Sequence, residues 1–117
     1  MKNPLYMGVM EDADGHGRVT GTCGDTMEMF LKFDLDRVAR ASFTTDGCGA
    51  SAVCGSFAAE MALGCTAEEL MTLTGENVLS RLGDIPEEDR HCAFLAAATL
   101  QAALEDCLAA RRGARHR

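Results

Sequence analysis

With 117 residues, 47% of them apolar and 25% charged, the chain is long enough for one domain with a buried core. A formal charge of −7, one Tyr and no Trp exclude a basic surface for phosphates and an aromatic platform for stacked bases, so no nucleic-acid partner is expected. No run approaches the roughly 18 apolar residues of a membrane span, and Met1-Lys2-Asn3-Pro4 opens no secretory h-region, so a cytoplasmic protein away from membranes is expected.

Asp12, Asp14, Gly15 and Gly17 mark turns in the first segment, followed by Arg18–Thr20 as a weak strand. From Met27 to Asp34 the period is two: Met27, Met29, Leu31 and Phe33 share one face, and Glu28, Phe30 and Lys32 the other. Asp34-Leu35-Asp36-Arg37 turns that strand, and Val38–Thr45 returns as its hairpin partner. The period then lengthens. Ala50, Val53, Phe57 and Met61 recur at helical spacing between Gly49 and the C-capping Gly64. Thr66 and Glu69 form a capping box for a helix reaching about Leu73, and a third helical piece, Thr74–Leu82, is closed by Gly83.

Pro86 and the acidic Glu87, Glu88 and Asp89 suit the first turn of a long last helix, with Leu100, Leu104, Cys107 and Leu108 on its buried face. Its basic end (Arg111, Arg112, Arg115, Arg117) complements the helix C-terminus and is expected to fray from about 112 to 117. Strands precede helices, which predicts α+β architecture. We expect a single domain over 1–117: a small antiparallel sheet of about three strands, with helices packed on one face.

Six cysteines in a chain without an export signal are expected to be thiols rather than a disulfide framework. Cys107 lies on the Leu100/Leu104/Leu108 face and Cys54 aligns with Phe57 and Met61, so both are assigned to the core. Cys65, just past Gly64, is assigned a structural or incidental place. Three remain: Cys23 in Thr22-Cys23-Gly24-Asp25, Cys48 in Gly47-Cys48-Gly49, and Cys92 directly after His91. Each sits at the edge of an element, where a thiol can be exposed. For Cys48 and Cys92, a helix N-terminus favours the thiolate that binds metal or attacks sulfur.

Three thiolates with a neighbouring Asp or His suit tetrahedral zinc or a cluster of tetrahedral irons. No C-x-x-C occurs, and separations of 25 and 44 positions would draw the site from three distant segments. Spacing leaves both metal binding and unconnected cysteines open. The seven Met are scattered rather than boxed for copper, and His16 is expected to be idle in a Gly-rich turn. Neither a Ser–His–Asp order nor paired carboxylates can be read, so no enzyme is expected.

The motifs Asn3-Pro4, Asp12-Ala13-Asp14-Gly15, Cys23-Gly24-Asp25, Phe43-Thr44-Thr45-Asp46-Gly47-Cys48-Gly49 and His91-Cys92 resemble those of the IscU/NifU-type iron–sulfur cluster scaffold family. The likeness runs in order over nearly the whole chain. It implies that Cys23, Cys48 and Cys92 are cluster ligands, that Asp25 or His91 completes the set, and that Cys92 accepts persulfide sulfur from a cysteine desulfurase. It also implies a [2Fe–2S] cluster built from iron and passed to recipient apoproteins, with zinc as an occupant of the apo form. A homodimer and a single chain are both compatible with it. The alternative function is a zinc-containing sulfur acceptor that stimulates a desulfurase.

Three departures from the family pattern stand out. The helix that usually precedes Asn-Pro in the family is expected to be missing before Asn3-Pro4. A Leu-Pro-Pro-Val-Lys chaperone segment before His-Cys is replaced by Leu82-Gly83-Asp84-Ile85-Pro86-Glu87-Glu88-Asp89-Arg90. The long insertion of the zinc-containing SufU-like branch is missing between Cys48 and Cys92.

Overall fold

The computed structural model describes residues 7–21, 24–47, 49–83 and 86–115. Three antiparallel strands, β1 (Gly15–Thr20), β2 (Thr26–Asp34) and β3 (Arg37–Thr45), pair in chain order. Helices α1 (Gly49–Ala62), α2 (Ala67–Met71) and α3 (Gly75–Leu82) follow, then a 3₁₀ turn (Glu87–Asp89) and α4 (Arg90–Arg115). The expected α+β architecture holds.

The inward face of β2 carries Met27, Met29 and Leu31, none of them exposed, and Phe33; across the hairpin Val38, Ala41 and Phe43 join them. Leu95, Leu100 and Leu104 of α4 close the core from the helix side. Phe30 departs from simple alternation. It faces outward yet is buried, because the His16 ring stacks on it with centroids 4.8 Å apart. His16 is therefore not the idle turn residue expected: it lies within β1, its backbone N–H donates to Asp106, and its ring meets Glu28 at 3.1 Å.

β1 starts three residues earlier than expected, and its glycines explain why. A Cβ on Gly15 or Gly17 would collide with the backbone of Ala103 in α4. These glycines let a helix lie directly on a strand; they do not mark turns. The turn belongs to Asp14, whose Oδ2 accepts from the Phe33 N–H at 2.7 Å.

Helix α1 buries a different stripe from the one its large residues suggest. Ser51, Cys54, Gly55, Ala58, Ala59 and Ala62 face inward, while Val53 is exposed. The reason is closeness: a Cβ on Gly55 would stand 2.5 Å from the Phe43 ring, so only small side chains fit. The Thr66/Glu69 capping box forms as expected, and Thr74 with Asn77 forms a second one that starts α3. Among the described residues, Arg90–Ala110 is long and apolar enough to cross a membrane by length and composition, which corrects the expectation that no segment qualifies. Its apolar side is the core face packed on the sheet.

Candidate metal centre

Three loops and helix starts meet at one end of the sheet. Between β1 and β2 the chain makes a tight turn: Gly24 N–H donates to Gly21 O at 3.0 Å, and Gly21 N–H donates to Asp25 O at 2.8 Å. Gly24 has φ +94°, a conformation that favours glycine. The turn is tied to the end of β3 by Thr26 N–H, which donates to Asp46 Oδ1 at 2.7 Å. Gly47 then passes so close that a Cβ there would stand 2.5 Å from Asp25 Oδ2 and 2.6 Å from Ser51 Oγ. Glycine at 47 is what permits this junction.

Into it project Asp25, His91 and Cys92, one ligand atom from each lying within 4.8 Å of the others. Cys92 Sγ and His91 Nε2 are 3.6 Å apart. Metal bonds of about 2.3 Å to sulfur and 2.0–2.1 Å to imidazole, at tetrahedral angles, set their donor atoms roughly 3.6 Å apart. That spacing suits two ligands on one ion and equally a hydrogen bond between thiol and imidazole. Both α1 and α4 point their N-termini at the junction, and their dipoles favour the anionic donors such an ion requires.

The fully buried Ser51 links the group: its hydroxyl donates to Asp25 Oδ2 at 3.0 Å and lies 3.4 Å from Cys92 Sγ. Of the residues expected from sequence, the structure thus brings Asp25, His91 and Cys92 together. Cys23 and Cys48 lie outside the described residues, though Asp25 and Gly47 beside them are part of the junction. One expectation is corrected. Cys92 is not an exposed thiol but is 0% exposed, covered where α4 starts against Ser51 and Asp25.

The remaining described thiols are elsewhere. Cys54 and Cys107 are buried in the core as expected. Cys65 donates its S–H to Met61 O at 3.3 Å. Burial first, and then the Glu69 carboxylate, push its pKa up, with Arg37 opposing, so this thiol is a poor nucleophile at neutral pH.

The profile of the family described as NifU-like N terminal domain matches residues 1–113. The chain belongs to the NifU-like N-terminal domain family. Among its relatives, iron–sulfur cluster assembly scaffold protein IscU 1 of Archaeoglobus fulgidus is 41% identical over 106 residues, spanning 90% of this chain and 69% of that protein. The scaffold protein IscU of Aquifex aeolicus is 34% identical over 109 residues, 91% of this chain and 69% of that one. The crystal structure of a nitrogen-fixing NifU-like protein (N-terminal) from Brucella abortus superposes with a TM-score of 0.66, covering 94% of this chain and 88% of that one at 21% identity. It has the same fold.

Within this NifU-like domain the residue that sequence reasoning missed is Ser51. In the structure it is the one hydroxyl in the small-residue stripe of α1, a stripe that the sequence reading did not identify. Nothing local distinguishes it from an ordinary helix serine.

Proposed function

We propose that this chain is a scaffold on which iron–sulfur clusters are assembled, without catalytic turnover, with Cys23, Cys48 and Cys92 as cluster ligands and Asp25 or His91 as the fourth. The observation that carries this reading is the convergence of Asp25, His91 and Cys92, one ligand atom of each within 4.8 Å of the others, from segments more than 60 positions apart in the chain. The names of the relatives, scaffold proteins for iron–sulfur cluster assembly, support it.

In this reading the Cys92 thiolate attacks the outer sulfur of a cysteine desulfurase persulfide. The donor's S–S bond breaks, its cysteine leaves as thiolate, and Cys92 carries the new persulfide. Ferrous iron is gathered by the neighbouring thiolates and Asp25. The sulfane sulfur is reduced to sulfide by electrons from ferrous iron and an external dithiol, giving a [2Fe–2S] cluster. Thiolates of a recipient apoprotein then displace the scaffold's ligands in the cytoplasm.

The ion in the apo state is zinc in this reading, because the same donor set and spacing suit it. Zinc alone would also serve a sulfur acceptor that builds no cluster. Anaerobic reconstitution with ferrous iron, cysteine and a desulfurase separates the two. Equal bound iron and acid-labile sulfide, lost in Cys48→Ser, is the expected result. Zinc retained without sulfide would move the assignment to the sulfur acceptor.

Asp25 accounts for lability. A carboxylate is a weaker ligand to iron than a thiolate, so it leaves the cluster exchangeable. Asp25→Ala passes the fourth position to His91 or a solution thiol, and cluster transfer to an apo-ferredoxin is expected to slow. Transfer followed by circular dichroism at an unchanged rate would remove Asp25 from the ligand set.

A further inference from the structure

We infer that Ser51 is a positioning residue for the metal centre, holding the Asp25 carboxylate in ligating geometry through a buried hydrogen bond. The inference rests on the scaffold reading above and extends it to a residue outside the ligand set.

Ser51 has no exposed surface, and it sits in the first turn of α1 among glycine and alanine neighbours that touch the sheet. Burying a hydroxyl there is costly unless it is bonded. Its partner is Asp25 Oδ2, 3.0 Å away. A carboxylate only accepts, so the serine proton goes to Asp25, and the serine oxygen is left to accept from the Cys92 thiol 3.4 Å away. One hydroxyl therefore contacts two residues of the ligand group, from a different element than either.

The bond also divides the work of the carboxylate. Oδ2 is occupied by Ser51 and backed by Gly47, where even a methyl group would stand 2.5 Å away. Oδ1 is left for the ion. Asp25 itself sits in a turn held by a few backbone bonds, so its side chain has no other hydrogen bond within the described residues to fix its direction. Ser51 supplies that constraint. Outer partners of this kind orient metal ligands, and their loss typically costs about 10–100-fold in metal affinity.

The test uses the full chain and cobalt(II) alone as the probe, with affinity read by competition against a chromophoric chelator. Wild type, Ser51→Ala, Asp25→Ala and the double variant are compared, and thermal unfolding is recorded for each. Ser51→Ala is expected to weaken cobalt binding by roughly 10–100-fold, yet to change nothing further in the Asp25→Ala background. That dependence on Asp25 is a readout which loosened helix packing would not produce. Ser51→Gly removes the same hydroxyl without adding volume and is expected to weaken cobalt binding by a similar factor; it keeps the test open should the alanine variant not fold. Affinity unchanged in a folded Ser51→Ala or Ser51→Gly protein overturns the inference, as does an equal loss in both backgrounds. A wild-type protein without a thiolate-to-cobalt charge-transfer band would instead overturn the scaffold reading itself.

Discussion

Cys92→Ser is expected to abolish both persulfide acceptance and cluster loading while leaving the fold intact. Serine is close to cysteine in shape, but its Cβ–O bond is shorter, so the hydroxyl falls short of Ser51 Oγ and His91 Nε2, which lie 3.4 and 3.6 Å from the native sulfur. A poorly bonded buried hydroxyl is expected to cost about 1–3 kcal/mol, which lowers the melting temperature without unfolding the chain. Chemistry does not survive the exchange. A serine hydroxyl neither forms a persulfide nor binds iron as a thiolate does.

The same geometry adds a condition. At 0% exposure the native Cys92 cannot meet an incoming persulfide until the groups packed over it part, so on the scaffold reading docking of the sulfur donor must open the junction. Intact-mass spectrometry after incubation with a loaded desulfurase reads the outcome directly. One added sulfur atom on the native chain and none on the variant is the expected pair of spectra. Sulfur still arriving on the Cys92→Ser protein would assign acceptance to Cys23 or Cys48.

The second large effect is on stability. Gly17→Ala is expected to destabilise the fold by about 1–3 kcal/mol, the usual cost of overpacking a tight contact. The added methyl would meet the Ala103 backbone and stand 2.7 Å from the Ala102 carbonyl carbon. Those are main-chain atoms in the middle of α4 and cannot swing aside as a side chain would. The helix must lift from β1, and because Cys92 and His91 ride at its start, metal affinity should fall as well. Gly49→Ala is the matched control, since among the described residues a Cβ there meets nothing within 4 Å. Its smaller unfolded-state entropy should leave stability equal or raised by about 0.4–1 kcal/mol. Urea midpoints for the two variants test this. A Gly17→Ala protein as stable as the wild type would mean that α4 shifts without loss.

Much of the fold was legible in the chain because it is written in local periodicity. The alternation from Met27 to Phe33 is buried as read, the Thr66–Glu69 box caps α2, Gly83 closes α3, and Leu100, Leu104 and Cys107 line the inner face of α4. The motif trio around Cys23, Cys48 and Cys92 pointed to the right family, since it depends only on residue order. What the sequence determined by itself was therefore the set of elements and the family.

The tertiary structure decided which surfaces touch. Gly15 and Gly17 look like turn residues until a helix is laid across them, and their meaning comes from Ala103, more than 80 positions away. Large residues on α1 suggested a Val53/Phe57/Met61 face, but the Phe43 ring leaves room only for Ser51, Cys54, Gly55 and alanines. Cys92 reads as an edge thiol and is buried, because three segments close over it. Ser51 became visible only when Asp25 and Cys92 arrived from either side of it. Periodicity records how a segment presents its side chains; close approach between segments is a property of packing, which no single segment encodes.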